Sequence, residues 1–338
     1  MVTDPTLQAG AVACCSWWRR EGPLPEEVWQ ILETLAPSAP PLVADRIVNF
    51  VWWNDQQGTL RDWDLITALP FTPNETALAG HIAARASELI SSKRLQPDAE
   101  SVARFLRRFE TLTEPEGHEL KRALAKLAEA FPVEMFLMLW RRNQARKAGD
   151  SSLKTLPYDF AQVQFPSIMT APEVKALVAE SERSLAEGAE LDYDELRLLR
   201  SAIQHGDNPS GWLEAAVERA TTEEQLETLR QLGSDDGSES AALAFPDFAR
   251  ALLTRARALN SECHQRIFAN LARVGGGRGS TNGEPDEPWK GLFEAIERLS
   301  HQHAADPELG PLFKTIAKHE RSWMDSNRRS YLVEVDDE

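Results

Sequence analysis

Residues 246–259 read PDFARALLTRARAL. Phe248, Leu252, Ala256 and Leu259 recur at intervals of four, four and three, which stacks them on one stripe of an α-helix. Residues 261–274, SECHQRIFANLARV, repeat the device with Cys263, Ile267, Leu271 and Val274. A second pair follows. Trp289, Leu292, Phe293, Ile296 and Leu299 share a face over 289–300, and Leu309, Leu312, Phe313, Ile316 and Trp323 do so over 309–324. Each stripe needs an apolar neighbour, and the next helix in sequence carries one, so the spacing predicts helical hairpins.

The same period runs outward through most of the 338 residues. Helix starts are legible too. Thr72–Glu75, Thr113–Glu116, Thr170–Glu173 and Thr221–Glu224 each set a threonine three residues before a glutamate, the spacing at which both can satisfy orphan backbone N–H groups. Asn208-Pro209 and Asp306-Pro307 put a capping side chain before a proline, and Asp192-Tyr-Asp-Glu195 places acids where a helix dipole favours them. The expected class is all-α, an irregular solenoid of stacked helical hairpins with about sixteen helices. Residues 155–169 alternate weakly, but Pro157 and Pro166 would remove ladder donors, so this stretch reads as an extended linker packed on the surface. Tyr331–Val335 reads as a frayed end or a short strand.

Charge and composition divide the chain. Residues 1–150 form a tryptophan-rich lobe, 151–172 a linker, and 173–338 an acidic lobe of hairpins. Residues 101–154 carry net +4, whereas 173–244 carry net −11. The paired helices over roughly 208–324 resemble HEAT-like helical repeats common in large bacterial proteins. That resemblance implies a stacked superhelix and a binding role, and it assigns no functional residue. The expected function is a non-enzymatic interaction or scaffold module, a subunit or regulatory component of a larger bacterial assembly, with a defence role as an analogy only.

Several chemistries find no support. The net charge of −16 disfavours generic binding to nucleic acid or anionic membranes. Three cysteines, Cys14, Cys15 and Cys263, make no disulfide framework and fit a cytoplasmic protein. No apolar run of membrane-spanning length occurs, and the N-terminus lacks the pattern of a signal peptide. The seven histidines show no metal-ligand spacing and read as surface or capping residues; His205-Gly-Asp207 sits at a helix end. Gly275–Ser280 lacks the lysine and the preceding strand of a phosphate loop, so it reads as a flexible connector. Asp235–Glu239 has the letters DDxxE that hold magnesium in all-helical isoprenoid synthases, but it lies between glycines in a polar segment. There is no nucleophile elbow, and Cys263 falls on an apolar stripe. No catalytic motif, metal or cofactor is expected; a third reading, after the interaction module and nucleic-acid binding, is an α-helical enzyme whose pocket the sequence does not reveal.

Two sets of residues remain as candidates. Trp17, Trp18, Trp52 and Trp53 belong to six tryptophans within the first 63 residues. Trp52 and Trp53 are consecutive on a helix, so at most one can sit squarely in the core; the tryptophans either fill the core or form a protein-binding surface at the N-terminal end. Arg104, Arg107 and Arg108 share a helical face by spacing, and Arg141 and Arg142 follow on another helix. They form either a groove for phosphates or an acidic partner, or a solvated face paired with Glu110, Glu114 and Glu119.

Overall fold

The structure is a computed structural model. It describes the chain except residues 1–3, 53–58, 92–94, 114–116, 150–152, 154–164, 166–167, 188–190, 205–207, 235–239, 275–279, 282–283 and 337–338. At 20–21, 186, 193, 280–281, 284–285 and 330–336 only the backbone is described. Seventeen α-helices occur among the described residues, and the one strand pair there is two residues long, Ser280–Thr281 against Glu284–Pro285. The protein is all-α. It divides into two compact units, Met1–Val174 and Lys175–Glu338.

The first unit contains α1 (Pro5–Glu21), α2 (Glu26–Leu35), α3 (Pro41–Trp52), α4 (Leu60–Ala68), α5 (Thr76–Ser91), α6 (Ala99–Arg107), α7 (His118–Ala130) and α8 (Pro132–Lys147). α1 packs along α3, α3 along α5, and α5 along α7, while α8 closes on α6 and α7. The α5–α7 pair is the most extensive, and α5 turns Gly80 toward α7, where a Cβ would already lie 3.5 Å from the Leu120 backbone nitrogen. Around α4 and α6 the core is aromatic. Trp63 meets Phe105 edge-on at 5.6 Å between centroids, and Phe105 meets Phe109 at 5.1 Å. The Trp63 indole N–H donates to Ser101 Oγ at 2.8 Å, which satisfies the only polar atom this ring carries inward.

One ion pair sits inside this unit. Asp62 is wholly buried in the first turn of α4. Its Oδ2 accepts from the Thr59 N–H and the Thr59 hydroxyl, both at 2.9 Å, completing a capping box. Arg19 Nη2 donates to the same oxygen at 3.0 Å, and Nη1 lies 2.7 Å from Oδ1, close in charge but out of line for a hydrogen bond. The guanidinium also lies 4.9 Å from the Trp29 ring centroid and 4.7 Å from that of Phe50. One side chain of α1 therefore holds α2, α3 and α4 together.

α9 (Pro172–Ala186) begins at the division and runs into the second unit, with α10 (Tyr193–Gln204), α11 (Pro209–Arg219), α12 (Glu223–Gly233), α13 (Ala241–Ala244), α14 (Pro246–Leu259), α15 (Ser261–Leu271), α16 (Glu287–Gln302) and α17 (Leu309–Asp336). α14–α15 and α16–α17 are the hairpins that the spacing predicts. α14 is covered on more sides than one stripe requires: it packs on α11, α12 and α15, and so buries Ala249 and Leu253 as well as Phe248, Leu252 and Ala256. Gly233 ends α12 against α14, where a Cβ would lie 2.3 Å from the Phe248 ring, so only glycine fits without displacing that ring.

Four local expectations need correction. α7 begins at His118 with Gly117 as its cap residue, so Thr113–Glu116 does not cap it. The cap of α12 is Thr222 with Gln225, one residue later than Thr221–Glu224. Gln225 is buried; its carboxamide oxygen accepts from the Thr221 and Thr222 N–H groups, and its NH2 donates to the Leu185 carbonyl at 2.8 Å. A carboxylate could accept but not donate there. Tyr331–Val335 is neither frayed nor a strand but continues α17. Trp323 on α17 is half-exposed because its neighbour has ended: Trp289, in the first turn of α16, already meets Glu320 at 3.1 Å. Most of 155–169 lies outside the described residues; Phe165 and Ile168 are buried, Phe165 edge-on to Phe136. Of the connector expected at 275–280, residues 275–279 lie outside them, as do the DDxxE letters at 235–239 and His205–Asp207.

Asp62→Ala is expected to destabilise the first unit by roughly 3–5 kcal/mol, since it strands the Arg19 charge among aromatic rings. Asp62→Ala combined with Arg19→Met is expected to recover most of that loss. Urea unfolding followed by circular dichroism checks both; equal midpoints for the single and double variants would show that the pair does not act as a unit.

Candidate functional site

Two successive helices of the first unit repeat one spacing. On α3, Asp45, Val48, Asn49 and Trp52 fall at i, i+3, i+4 and i+7; on α5, His81, Ala84, Arg85 and Glu88 do the same. These two faces, with Glu119 from the first turn of α7, line a groove of about 420 Å³. The buried faces of the same helices, Val43, Ile47 and Phe50 on α3 and Ile82, Ala86 and Leu89 on α5, hold it in place.

Contacts along the groove set its direction. His81 Nδ1 lies 3.3 Å from Asp45 Oδ1 near the starts of both helices. One turn further along α5 and near the end of α3, Arg85 Nη2 donates to the Val51 carbonyl at 2.5 Å, taking one of the acceptors that the last turn of a helix leaves unpaired. The two helices thus run in the same sense. One end of the groove holds Asp45, His81 and Glu119, and the other holds Trp52, Arg85 and Glu88.

The imidazole stands between two carboxylates, with Nε2 at 3.2 Å from Glu119 Oε2. A neutral ring has one N–H and donates to one of them; a protonated ring donates to both. The carboxylates lie on opposite edges of the ring and so do not converge. Among the described residues no group of three or more histidine, cysteine or acidic side chains is placed to hold a metal ion. Arg85 Nη1 donates to Glu88 Oε2 at 2.7 Å, and its Nε–H is buried without a hydrogen-bond partner. One guanidinium stands against three carboxylates, so with a neutral imidazole the groove carries net negative charge.

The candidate tryptophans sit at an end of this unit. Trp17 is 69% exposed, Trp18 52% and Trp52 49%, while Trp63 and Trp289 are at 1% and 0%. Arg19, in the last turn of α1, reaches Phe50, in the last turn of α3, so Trp17, Trp18 and Trp52 lie at the same end of the bundle. Leu60, 60% exposed, opens α4 beside Asp62 at that end. Trp53 lies outside the described residues. Cys14 is exposed on α1, and Cys15 is partly buried; burial, then the neighbouring Cys14, hold its thiol above the usual value.

The candidate arginines do not assemble into one face. Arg104 and Arg107 are exposed on α6, with Arg104 paired to Glu100. α6 ends at Arg107, and Arg108 turns back to donate to the carbonyls of Thr67 (2.6 Å) and Leu69, its guanidinium 4.4 Å from the Phe71 centroid. Burial there lowers its pKa to about 10. Arg142 is buried and donates to the Glu110 carbonyl at 3.0 Å, and Arg141 Nε donates to the Glu110 carboxylate at 2.6 Å. Arg108, Arg141 and Arg142 thus tie the turn after α6 to α8 and to the end of α4.

The spacing of the tryptophans marks Trp52, and Glu119, expected to pair with the candidate arginines, meets His81 instead; no motif marks Asp45, His81, Arg85 or Glu88. Their signal was present, as a polar face at helical spacing on two successive helices. Comparison of the chain with protein-family models, with characterised proteins and with solved structures finds no match.

Iodoacetamide at pH 8 is expected to label Cys14 first, Cys15 more slowly, and Cys263 only on unfolding, since burial holds the last two thiols protonated. Mass spectrometry of timed digests reads the order; early labelling of Cys263 would overturn the packing of α15 on α14.

Proposed function

We propose that the chain is a non-enzymatic protein-interaction module, built from stacked hairpins of a HEAT-like kind, that docks through the end of its first unit. The observation that carries this reading is the contrast among tryptophans. Trp63 and Trp289 fill the core, while Trp17, Trp18 and Trp52 stand open together with Leu60. Tryptophan is the side chain most enriched among residues that dominate binding energy, because it covers a large area and orders few torsions. Surface indoles gathered at one end of a bundle are therefore a partner's contact more readily than a solvated surface.

The assembly envisaged is a larger bacterial complex in the cytoplasm. Three thiols, none in a disulfide, suit a reducing compartment, and no helix among the described residues is long and apolar enough to cross a membrane. The alternative of nucleic-acid binding through the 104–147 arginines has less support, because Arg108 and Arg142 spend their donors on backbone carbonyls.

The test is capture of partners from the native host by tagged protein, with mass spectrometry of proteins and nucleic acid. Trp17→Ala with Trp18→Ala is expected to lose the specific partner while circular dichroism stays unchanged, and duplex DNA at physiological salt is expected to show no binding. A partner retained in full by the double variant would overturn the docking end. Tight, salt-sensitive DNA binding lost on reversal of Arg104 and Arg107 would favour the nucleic-acid reading.

A further inference from the structure

We propose that the α3–α5 groove is a seat for a basic peptide segment, one that presents two arginine or lysine side chains three residues apart in an extended, polyproline-like conformation; the proposal rests on the interaction-module reading and names the chemistry of its partner. The groove has anionic groups at both ends. Asp45 and Glu119 stand at one end with side chains 40% and 61% exposed, and Glu88 stands at the other at 45%. Each is already fixed by a contact on the protein, through His81 or Arg85, and each keeps a face toward solvent. Trp52 adds a half-exposed indole at the Glu88 end. A carboxylate beside an aromatic face is what a guanidinium or ammonium group seeks, by charge and by cation–π attraction together.

Spacing selects the ligand further. Asp45 and Trp52 are seven residues apart on one helix, which at 1.5 Å per residue is about 10 Å. A polyproline II segment rises about 3.1 Å per residue with three residues per turn, so side chains at i and i+3 project on the same side about 9 Å apart. A β-strand places i and i+3 on opposite sides and does not match. The volume of about 420 Å³ lies in the range of small-ligand sites, about 300–1,000 Å³.

Arg85 gives an independent sign of a ligand. Its side chain is nine-tenths buried on the groove, Nη1 and Nη2 are taken by Glu88 and Val51, and the Nε–H has no acceptor. An unpaired buried donor costs free energy that an acceptor restores. A polyproline-like segment has no internal hydrogen bonds, so its carbonyls are available to supply one. A polyamine, which has no carbonyl, would offer the Arg85 Nε–H no acceptor.

Fluorescence anisotropy tests this with a labelled proline octapeptide carrying arginine at its third and sixth positions. The comparison peptide carries its two arginines side by side. The spaced peptide is expected to bind at least about fivefold more tightly than the comparison. Trp52→Ala, Asp45→Asn and Glu88→Gln are each expected to weaken it by about fivefold, and Glu294→Gln, on the exposed surface of the second unit, is expected to leave it unchanged. Circular dichroism confirms that each variant folds. Equal affinity for the two peptides, equal loss in the Glu294 control, or no binding at all would overturn the proposal. If Asp45→Asn and Glu88→Gln keep the native partner and the Trp17/Trp18 variant loses it, the groove falls and the docking end stands.

Discussion

A single guanidinium sets the end of the first unit. Arg19 lies between the Trp29 and Phe50 rings and against a wholly buried carboxylate, Asp62. Neither charge would be tolerable in that place alone, and the desolvation each suffers is offset only while the other is present. The geometry is therefore all or none. Asp62 also caps α4 through Thr59, so losing the ion pair unsettles the helix start as well as the packing. Trp17 and Trp18 are two residues and one residue from Arg19, and Trp52 is two from Phe50. The exposed indoles hold their positions because the buried charge beneath them does.

The same physics recurs with other arginines. Helices leave their last carbonyls unpaired, and an arginine from a neighbouring helix can satisfy them while its methylenes fill apolar space. Arg85 does this for α3 at Val51, Arg108 for the end of α4 at Thr67 and Leu69, and Arg142 for the turn after α6. A fork of donors on a long stem reaches carbonyls that a lysine's point charge serves less well. Much of the net positive charge of residues 101–154 is thus spent inward, and a basic stretch in sequence does not become a basic face in space.

This is also where sequence reading ran out. The bounds of α14 were legible because Pro246 opens it and Asn260 interrupts the stripe, and both are local signals. The hairpins were legible for the same reason, since each apolar stripe declares its need for a neighbour. Whether Arg108 faces solvent or Thr67 depends on a contact 41 residues away, and no local spacing carries that. Thr221–Glu224 and Thr222–Gln225 both have the spacing of a cap, and only the buried Leu185 carbonyl distinguishes a side chain that donates from one that cannot. The groove was hidden differently. Asp45 and Asn49, like His81 and Glu88, look like the solvated side of amphipathic helices, and their meaning arises only when α3 and α5 lie side by side in the same sense.

That arrangement bears on how fixed charges differ from diffuse charge on an acidic chain. At −16 the whole surface attracts a basic partner, but over a range cut to about 8–10 Å by physiological salt. Such attraction speeds encounter and selects little. Selection requires groups at fixed separation, and these need scaffolding that diffuse charge does not. In the α3–α5 groove the scaffolding is visible: His81 fixes Asp45 and Glu119, Arg85 fixes Glu88 while gripping the end of α3, and α5 turns Gly80 toward α7 beside Glu119. Every anionic group in the groove is thus held by a partner on a second helix or one turn away. Charges restrained in this way lose little freedom when a ligand arrives, and that pre-ordering separates a binding groove from an acidic surface of the same net charge.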